Sequence, residues 1–110
     1  MKYYRRILII FGEIALGIRY LHQNKIIHRD IKPENIMFKN QKVKIIDFGY
    51  STKKEQPRTQ CGTPQFKAPE ICENKEYTQK CDVYSLGCTL YFMALWTYPY
   101  VGHPTYETIK

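Results

Sequence analysis

The chain has 110 residues, 44% of them hydrophobic and 25% charged, with a net charge of +7. Such a composition excludes a disordered tail, and the length allows one domain at most. The positive excess sits in one half: residues 1–58 carry 13 basic and 5 acidic side chains, the remainder 4 and 5. A basic half admits an anionic substrate, a nucleic acid, a membrane surface or a merely solvated face.

The first element is a helix over residues 4 to about 23. Lys2, Arg5 and Arg6 followed by an apolar run and Ala15-Leu16-Gly17 imitate a secretory leader, but Glu13 interrupts the run. Ile7, Ile10, Phe11, Ile14, Ile18 and Leu21 recur at three- and four-residue steps and define one buried stripe. Asn24 is the expected left-handed stop. No stretch reaches the roughly 18 apolar residues of a membrane span.

Residues 25–28 read as a brief strand and residues 29–34 as a loop. Residues 35–38 and 42–46 read as a hairpin around Lys39, Asn40 and Gln41, with Val43 and Ile45 alternating against Lys42 and Lys44. Residues 50–68 have no periodicity and form a long loop. Over residues 82–95, Val83, Leu86, Leu90, Met93 and Ala94 recur at helical spacing, widened by Tyr84, Cys88 and Tyr91, which predicts a helix buried on most sides. Tyr98-Pro99-Tyr100 ends it, and residues 105–110 begin another.

Cys61, Cys72, Cys81 and Cys88 show no C-x-x-C spacing, so neither a zinc site nor a redox pair is indicated. Reduced thiols in a cytoplasmic or nuclear compartment are expected. The basic half lacks an arginine-rich run or interleaved aromatics, and no nucleic-acid partner is expected.

The chemistry concentrates in His28-Arg29-Asp30-Ile31-Lys32-Pro33-Glu34-Asn35 and in Asp47-Phe48-Gly49. If Phe38 pairs with Val43, Asn35 lies across from Ile46 and Asp47 is the next residue out. An amide and a carboxylate then meet at one end of the ribbon, beside Asp30 and Lys32. They offer hard oxygen ligands for Mg²⁺, with a carboxylate and an ammonium within reach of a phosphate. That set suits phosphoryl transfer, in which positioning and electrostatics carry most of the catalysis.

At these residues the chain resembles the large, C-terminal lobe of a eukaryotic-type serine/threonine protein kinase. H-R-D-x-K-x-x-N stands at residues 28–35, D-F-G at 47–49, and Gly62-Thr63-Pro64 precedes Ala68-Pro69-Glu70. Asp82-Val83-Tyr84-Ser85-Leu86-Gly87 is similar to a D-x-W-S-x-G helix, with Tyr84 in place of the usual Trp. The fold implied is mainly α with a small β-hairpin, a partial kinase domain over residues 1–110.

The roles that follow are implied by the resemblance. Asp30 would orient the substrate hydroxyl and accept its proton, and Lys32 would neutralise the transferred phosphoryl group. Asn35 and Asp47 would hold Mg²⁺, and ATP would meet Lys32, Glu34, Asn35, Met37 and Asp47. Arg29 would pair with a phosphorylated Thr59, placed there by an upstream kinase, with Ser51, Thr52 and Thr63 competing for that modification. Thr63 would contact the catalytic aspartate and lysine and so help to position the substrate. His28, Phe48 and Asp82 would form a packed column under the site, with Gly49 and Glu70 completing structural motifs. The partner implied is a protein bearing Ser or Thr.

No G-x-G-x-x-G loop and no V-A-I-K lysine precedes the catalytic loop in this sequence, and the last helices of the lobe are not seen. Removal of even one preorganised donor costs about 10²–10³ in rate, so negligible turnover and marginal stability are expected of the chain on its own. Two readings stand: a segment of a kinase that transfers phosphate from Mg-ATP, and a non-catalytic interaction module that keeps the motifs.

Overall fold

The computed structural model describes residues 2–40 and 42–96. Helix α1 spans Lys2–Gln23, strands β1 and β2 span Ile36–Lys39 and Lys42–Ile45, a short helix α2 spans Pro69–Cys72, and helix α3 spans Lys80–Leu95. Single 3₁₀ turns at Pro33–Asn35 and Pro64–Phe66 both begin on proline, whose fixed φ suits a first helical position. The architecture is mainly helical with one antiparallel hairpin, as the sequence implies.

The α1 stripe behaves as its spacing requires: Ile7, Ile14, Ile18 and Leu21 are buried, whereas Leu8, Ile9, Leu16 and Tyr20 face outward. The helix does not stop on Asn24. Lys25 takes the left-handed conformation, φ 61°, while the Ile26 N–H donates to Leu21 O at 2.9 Å. That six-to-one bond closes a Schellman motif with lysine in the position glycine usually fills. Asn24 instead donates its side-chain amide to Tyr20 O.

The brief strand expected at residues 25–28 reduces to a single bridge, Ile27 with Thr52, and the next N–H, of His28, goes to the Asp82 carboxylate instead of to a strand partner. The hairpin register matches Phe38 with Val43 and Ile36 with Ile45. Lys39 belongs to β1 rather than to the turn, where Asn40 adopts φ 52°. Gly17 lets α1 approach the ribbon closely: a Cβ there would sit 3.0 Å from Ile45 Cδ1.

Two apolar clusters hold the elements together. Ile14, Ile18, Ile31 and Leu86 form one, with Ile10, Phe11, Ala15, Ile36, Val43 and Ile45 against it. Ile27, Ala68, Ile71, Tyr77 and Cys81 form the other, with Tyr84 against it. Helix α3 feeds both, Leu86 to the first and Cys81 to the second. Its burial is confined to one face: Cys81, Asp82, Ser85, Leu86, Cys88 and Thr89 are buried, but Val83, Tyr91 and Leu95 are exposed. The expectation of burial on most sides is therefore corrected. The helix ends as Trp96 turns left-handed with its N–H on Phe92 O. Tyr98-Pro99-Tyr100 and the helix expected over residues 105–110 lie outside the described residues.

The four cysteines are buried and unbonded. Among the described residues, no helix is long and apolar enough to cross a membrane.

Candidate active site

Ile31 is fully buried in the α1–α3 cluster. Withdrawing such a side chain from water is worth about 1.5–3 kcal/mol, and it anchors the loop between Asp30 and Lys32, the two residues that carry charge there. The loop is pinned a second time from below. Asp82 is completely buried at the start of α3, and its carboxylate accepts the backbone N–H of His28 and of Arg29, each at 2.9 Å. The His22 Nε2 lies 2.8 Å from the same carboxylate.

His28 is likewise fully buried. Its Nε2 contacts Ile46 O at 2.9 Å, and its Nδ1 faces the Asp30 N–H at 3.1 Å. A neutral ring protonated on Nε2 satisfies both partners, because a carbonyl accepts and an amide donates. The imidazole thus couples the loop bearing Asp30 to the residue after β2. Phe48 packs edge-on against it, centroids 4.9 Å apart.

Above this support four side chains converge. Thr63 Oγ1 donates to Asp30 Oδ1 at 2.9 Å and accepts from Lys32 Nζ at 2.8 Å. Lys32 Nζ is also 3.8 Å from Asp30 Oδ2. Asn35 Nδ2 donates to Asp30 O at 2.8 Å and to Asp30 Oδ2 at 3.2 Å. Asp30 and Asn35 are buried, 7% and 5% exposed, so these bonds act where solvent screens them little. The Pro64–Phe66 turn that carries Thr63 is tied to α3 through Ser85 Oγ, which donates to Phe66 O.

Asp47 follows directly. The Ile46 N–H donates to Asn35 O at 2.9 Å, which confirms the expected pairing and puts Asp47 one residue beyond it. Asp47 is exposed and left-handed, φ 59°, with its Oδ1 accepting the Gly49 N–H at 3.2 Å. Asp and Asn tolerate that conformation because the short polar side chain bonds its own backbone.

The oxygen donors suit Mg²⁺. The Asn35 amide spends its N–H groups on Asp30, which leaves its oxygen as a lone-pair donor, and Asp47 adds a carboxylate. Among the described residues no group of three His, Cys, Asp or Glu could hold a metal. Mg²⁺ does not require one, since it is commonly bound through one or two carboxylates together with water and substrate phosphates.

The remaining expected residues stand outside this hydrogen-bonded group. Met37 is 49% exposed on β1. Glu34 lies in the Pro33–Asn35 turn and Glu70 in the first turn of α2, a short helix that periodicity did not reveal. Thr59 and Arg29 do not meet side chain to side chain. Tyr77, 2% exposed, stands between them: its hydroxyl accepts from Arg29 Nη1 at 2.9 Å and donates to Thr59 O at 2.7 Å. Arg29, left-handed at φ 72°, also donates Nε to Tyr50 O.

Sequence reasoning missed Tyr77 altogether, since a lone tyrosine in a polar stretch has no periodic signal. Burial raises its hydroxyl to about 12, partly offset by the Arg29 hydrogen bond, while Cys61 nearby adds to the rise. His22 was also missed as a polar partner. It occupies a position between Leu21 and Gln23 at the end of a helix, where nothing local indicates a buried carboxylate 60 residues away.

The model of the protein kinase domain matches residues 4–110. The chain is 44% identical over 99 residues to the serine/threonine-protein kinase Nek5 of Homo sapiens, covering 84% of this chain and 14% of that protein. It is 42% identical over 92 residues to the serine/threonine-protein kinase nekl-2 of Caenorhabditis elegans, covering 79% and 26%. Against the SNF1-related protein kinase catalytic subunit alpha KIN12 of Arabidopsis thaliana it is 39% identical over 95 residues, covering 83% and 19%. The chain therefore spans about a seventh to a quarter of the length of these relatives.

Proposed function

The chain belongs to the protein kinase family, as a segment of the eukaryotic serine/threonine type, and on that premise we propose that it supplies the catalytic loop, metal-binding aspartate and activation segment for phosphoryl transfer from ATP to protein Ser or Thr hydroxyls. In this reading it corresponds to part of the large, C-terminal lobe. The single observation that supports it best is the Asp30–Thr63–Lys32 chain of hydrogen bonds at 2.9 and 2.8 Å.

Asp30 is the group that receives the proton of the substrate hydroxyl. Asn35 and Thr63 fix its carboxylate, so little reorganisation is required as the hydroxyl approaches. Lys32, held by Thr63, places a positive charge beside the same carboxylate, where it offsets charge on the transferring phosphoryl oxygens. Thr63 links catalytic loop and activation segment, so that a displaced segment also disturbs Asp30. Asn35 and Asp47 would hold Mg²⁺, which when bound neutralises phosphate charge and aligns the reacting groups. Glu34 and Met37 flank the nucleotide, and Thr59 is the phosphorylation site for an upstream kinase.

Phosphate on Thr59 would draw Arg29 away from the Tyr77 hydroxyl, since a dianion is a stronger partner for guanidinium than a neutral phenol. A cytoplasmic or nuclear setting is part of the proposal, supported by four cysteines that stay unbonded.

The test has two arms. Mg²⁺-dependent ATP binding to the chain is compared with that of Asp47→Ala, and a clear loss in the variant is expected. Separately, the chain replaces the equivalent segment of human Nek5, and transfer of labelled phosphate to a Ser/Thr protein is measured with and without Asp30→Asn. Equal ATP binding by both proteins, or a folded exchange protein whose transfer ignores Asp30, would overturn the proposal.

A further inference from the structure

A second feature lies away from the catalytic loop, where the C-terminus of α1, the segment after Thr52 and the start of α3 enclose a cleft of about 590 Å³. Its lining includes Lys25, Lys53, Lys54, Lys80, Glu55 and Thr78. Four ammonium groups and one carboxylate thus share a single concavity. Among the described residues none of the four lysines takes part in an ion pair. Like charges gathered around a concave surface focus a positive potential into it and repel one another until an anion enters.

The walls are fixed relative to each other. Ile27 and Thr52 exchange backbone hydrogen bonds at 2.9 and 3.0 Å, which ties the segment after Lys25 to the one before Lys53. Lys54 N–H donates to Thr52 Oγ1 at 3.2 Å, and Lys80 N–H to Thr78 Oγ1 at 3.3 Å. The cationic stems therefore project from ordered backbone on three elements.

The chemistry narrows the ligand. No Phe, Tyr or Trp lines the cleft, and its one imidazole, His22, is held by the Asp82 carboxylate, so it lacks the row of aromatic platforms on which single-stranded nucleic acid depends. A concave site is ill-suited to a membrane surface. The volume exceeds the need of a single inorganic anion, and the cleft shares His22, Gln23 and Gln79 with an adjoining groove between α1 and α3. Lysines act as point charges without the bidentate geometry of arginine, so they accept carboxylates and phosphates alike. We infer that this cleft is a docking site for an acidic peptide segment, carboxylate- or phosphate-bearing, separate from the catalytic loop.

This inference does not rest on catalysis, and its test does not read catalysis. A short labelled peptide of alternating Glu and Ser, and the same peptide phosphorylated, are titrated against the whole chain by fluorescence anisotropy, with the fold verified by circular dichroism. Binding is expected to weaken with salt, and by about tenfold or more in Lys53→Glu/Lys54→Glu. The comparison variant is Lys42→Glu/Lys44→Glu, which changes the charge equally on the hairpin and is expected to bind within about twofold of the unaltered chain. The ratio of the two peptide affinities separates carboxylate from phosphate recognition. Equal weakening in both double variants would show a diffuse charge effect and overturn the assignment, as would preferential binding of a single-stranded RNA or of anionic vesicles over either peptide.

Discussion

The Asp82 carboxylate receives the backbone N–H of His28 at 2.9 Å across 54 residues of chain, at a point where neither residue is exposed to solvent. The same group takes the Arg29 N–H through its other oxygen. One side chain at the start of a helix thus holds two consecutive residues of the loop that leads to Asp30, one of them in the unfavourable left-handed region.

Asp82→Asn tests this arrangement with little change of volume. Its amide offers one oxygen and one NH₂ where two N–H donors approach, so at least one hydrogen bond is lost. Bonds to charged groups are worth about 1.5–3 kcal/mol each, and urea denaturation is expected to show a loss of at least that size. Unchanged stability would mean that the Asp82 carboxylate does not hold the loop.

Glycine positions separate backbone requirement from empty space. Gly62 has φ +99°, and a Cβ there would lie 3.0 Å from Arg29 O, so Gly62→Ala is expected to cost about 1–3 kcal/mol. Gly12 lies within α1, and a methyl group at that position would meet nothing within 4 Å, so Gly12→Ala is expected to add about 0.5–1 kcal/mol. Thermal or urea midpoints moving in opposite directions bear this out, and a shared direction contradicts it.

The pH dependence has a definite sign. Tyr77 is pushed up to about 12 from the ordinary value of 10, chiefly by burial. Burial also raises the thiols of Cys72, Cys81 and Cys88 above 9. The folded chain therefore holds these protons after the unfolded chain has released them. Their stabilisation is complete below the unfolded values and is lost as pH rises through the folded ones. Stability measured by urea is expected to decline from about pH 9 upward. Tyr77→Phe is expected to remove the part of that decline between pH 10 and 12. At neutral pH it costs about 1–3 kcal/mol, because Arg29 and the Thr59 carbonyl lose a buried partner. An unaltered alkaline limb in Tyr77→Phe would refute the assignment.

Several features were legible from spacing. The α1 stripe follows from a 3.6-residue period, and the Phe38–Val43 register from two-residue alternation around a polar turn. From that register alone Asn35 falls opposite Ile46 and Asp47 beyond it, because strand geometry leaves no other placement. Asp30 and the three residues around it, Lys32, Asn35 and Thr63, were named from motif order.

Local pattern determined which segments become helix or ribbon, since backbone hydrogen bonding and side-chain periodicity act over a few residues. What holds the segments together was decided in three dimensions: Tyr77 between Arg29 and Thr59, Asp82 beneath the loop, His28 joining loop and ribbon, and Lys25 after α1, Lys80 of α3 and the lysines after Thr52 around one cleft. Each of these contacts spans 18 or more residues or depends on how whole elements dock. Their existence rests on the burial of Ile31, Leu86, Ile27 and Cys81 in the two cores, a packing outcome that no short window of sequence contains.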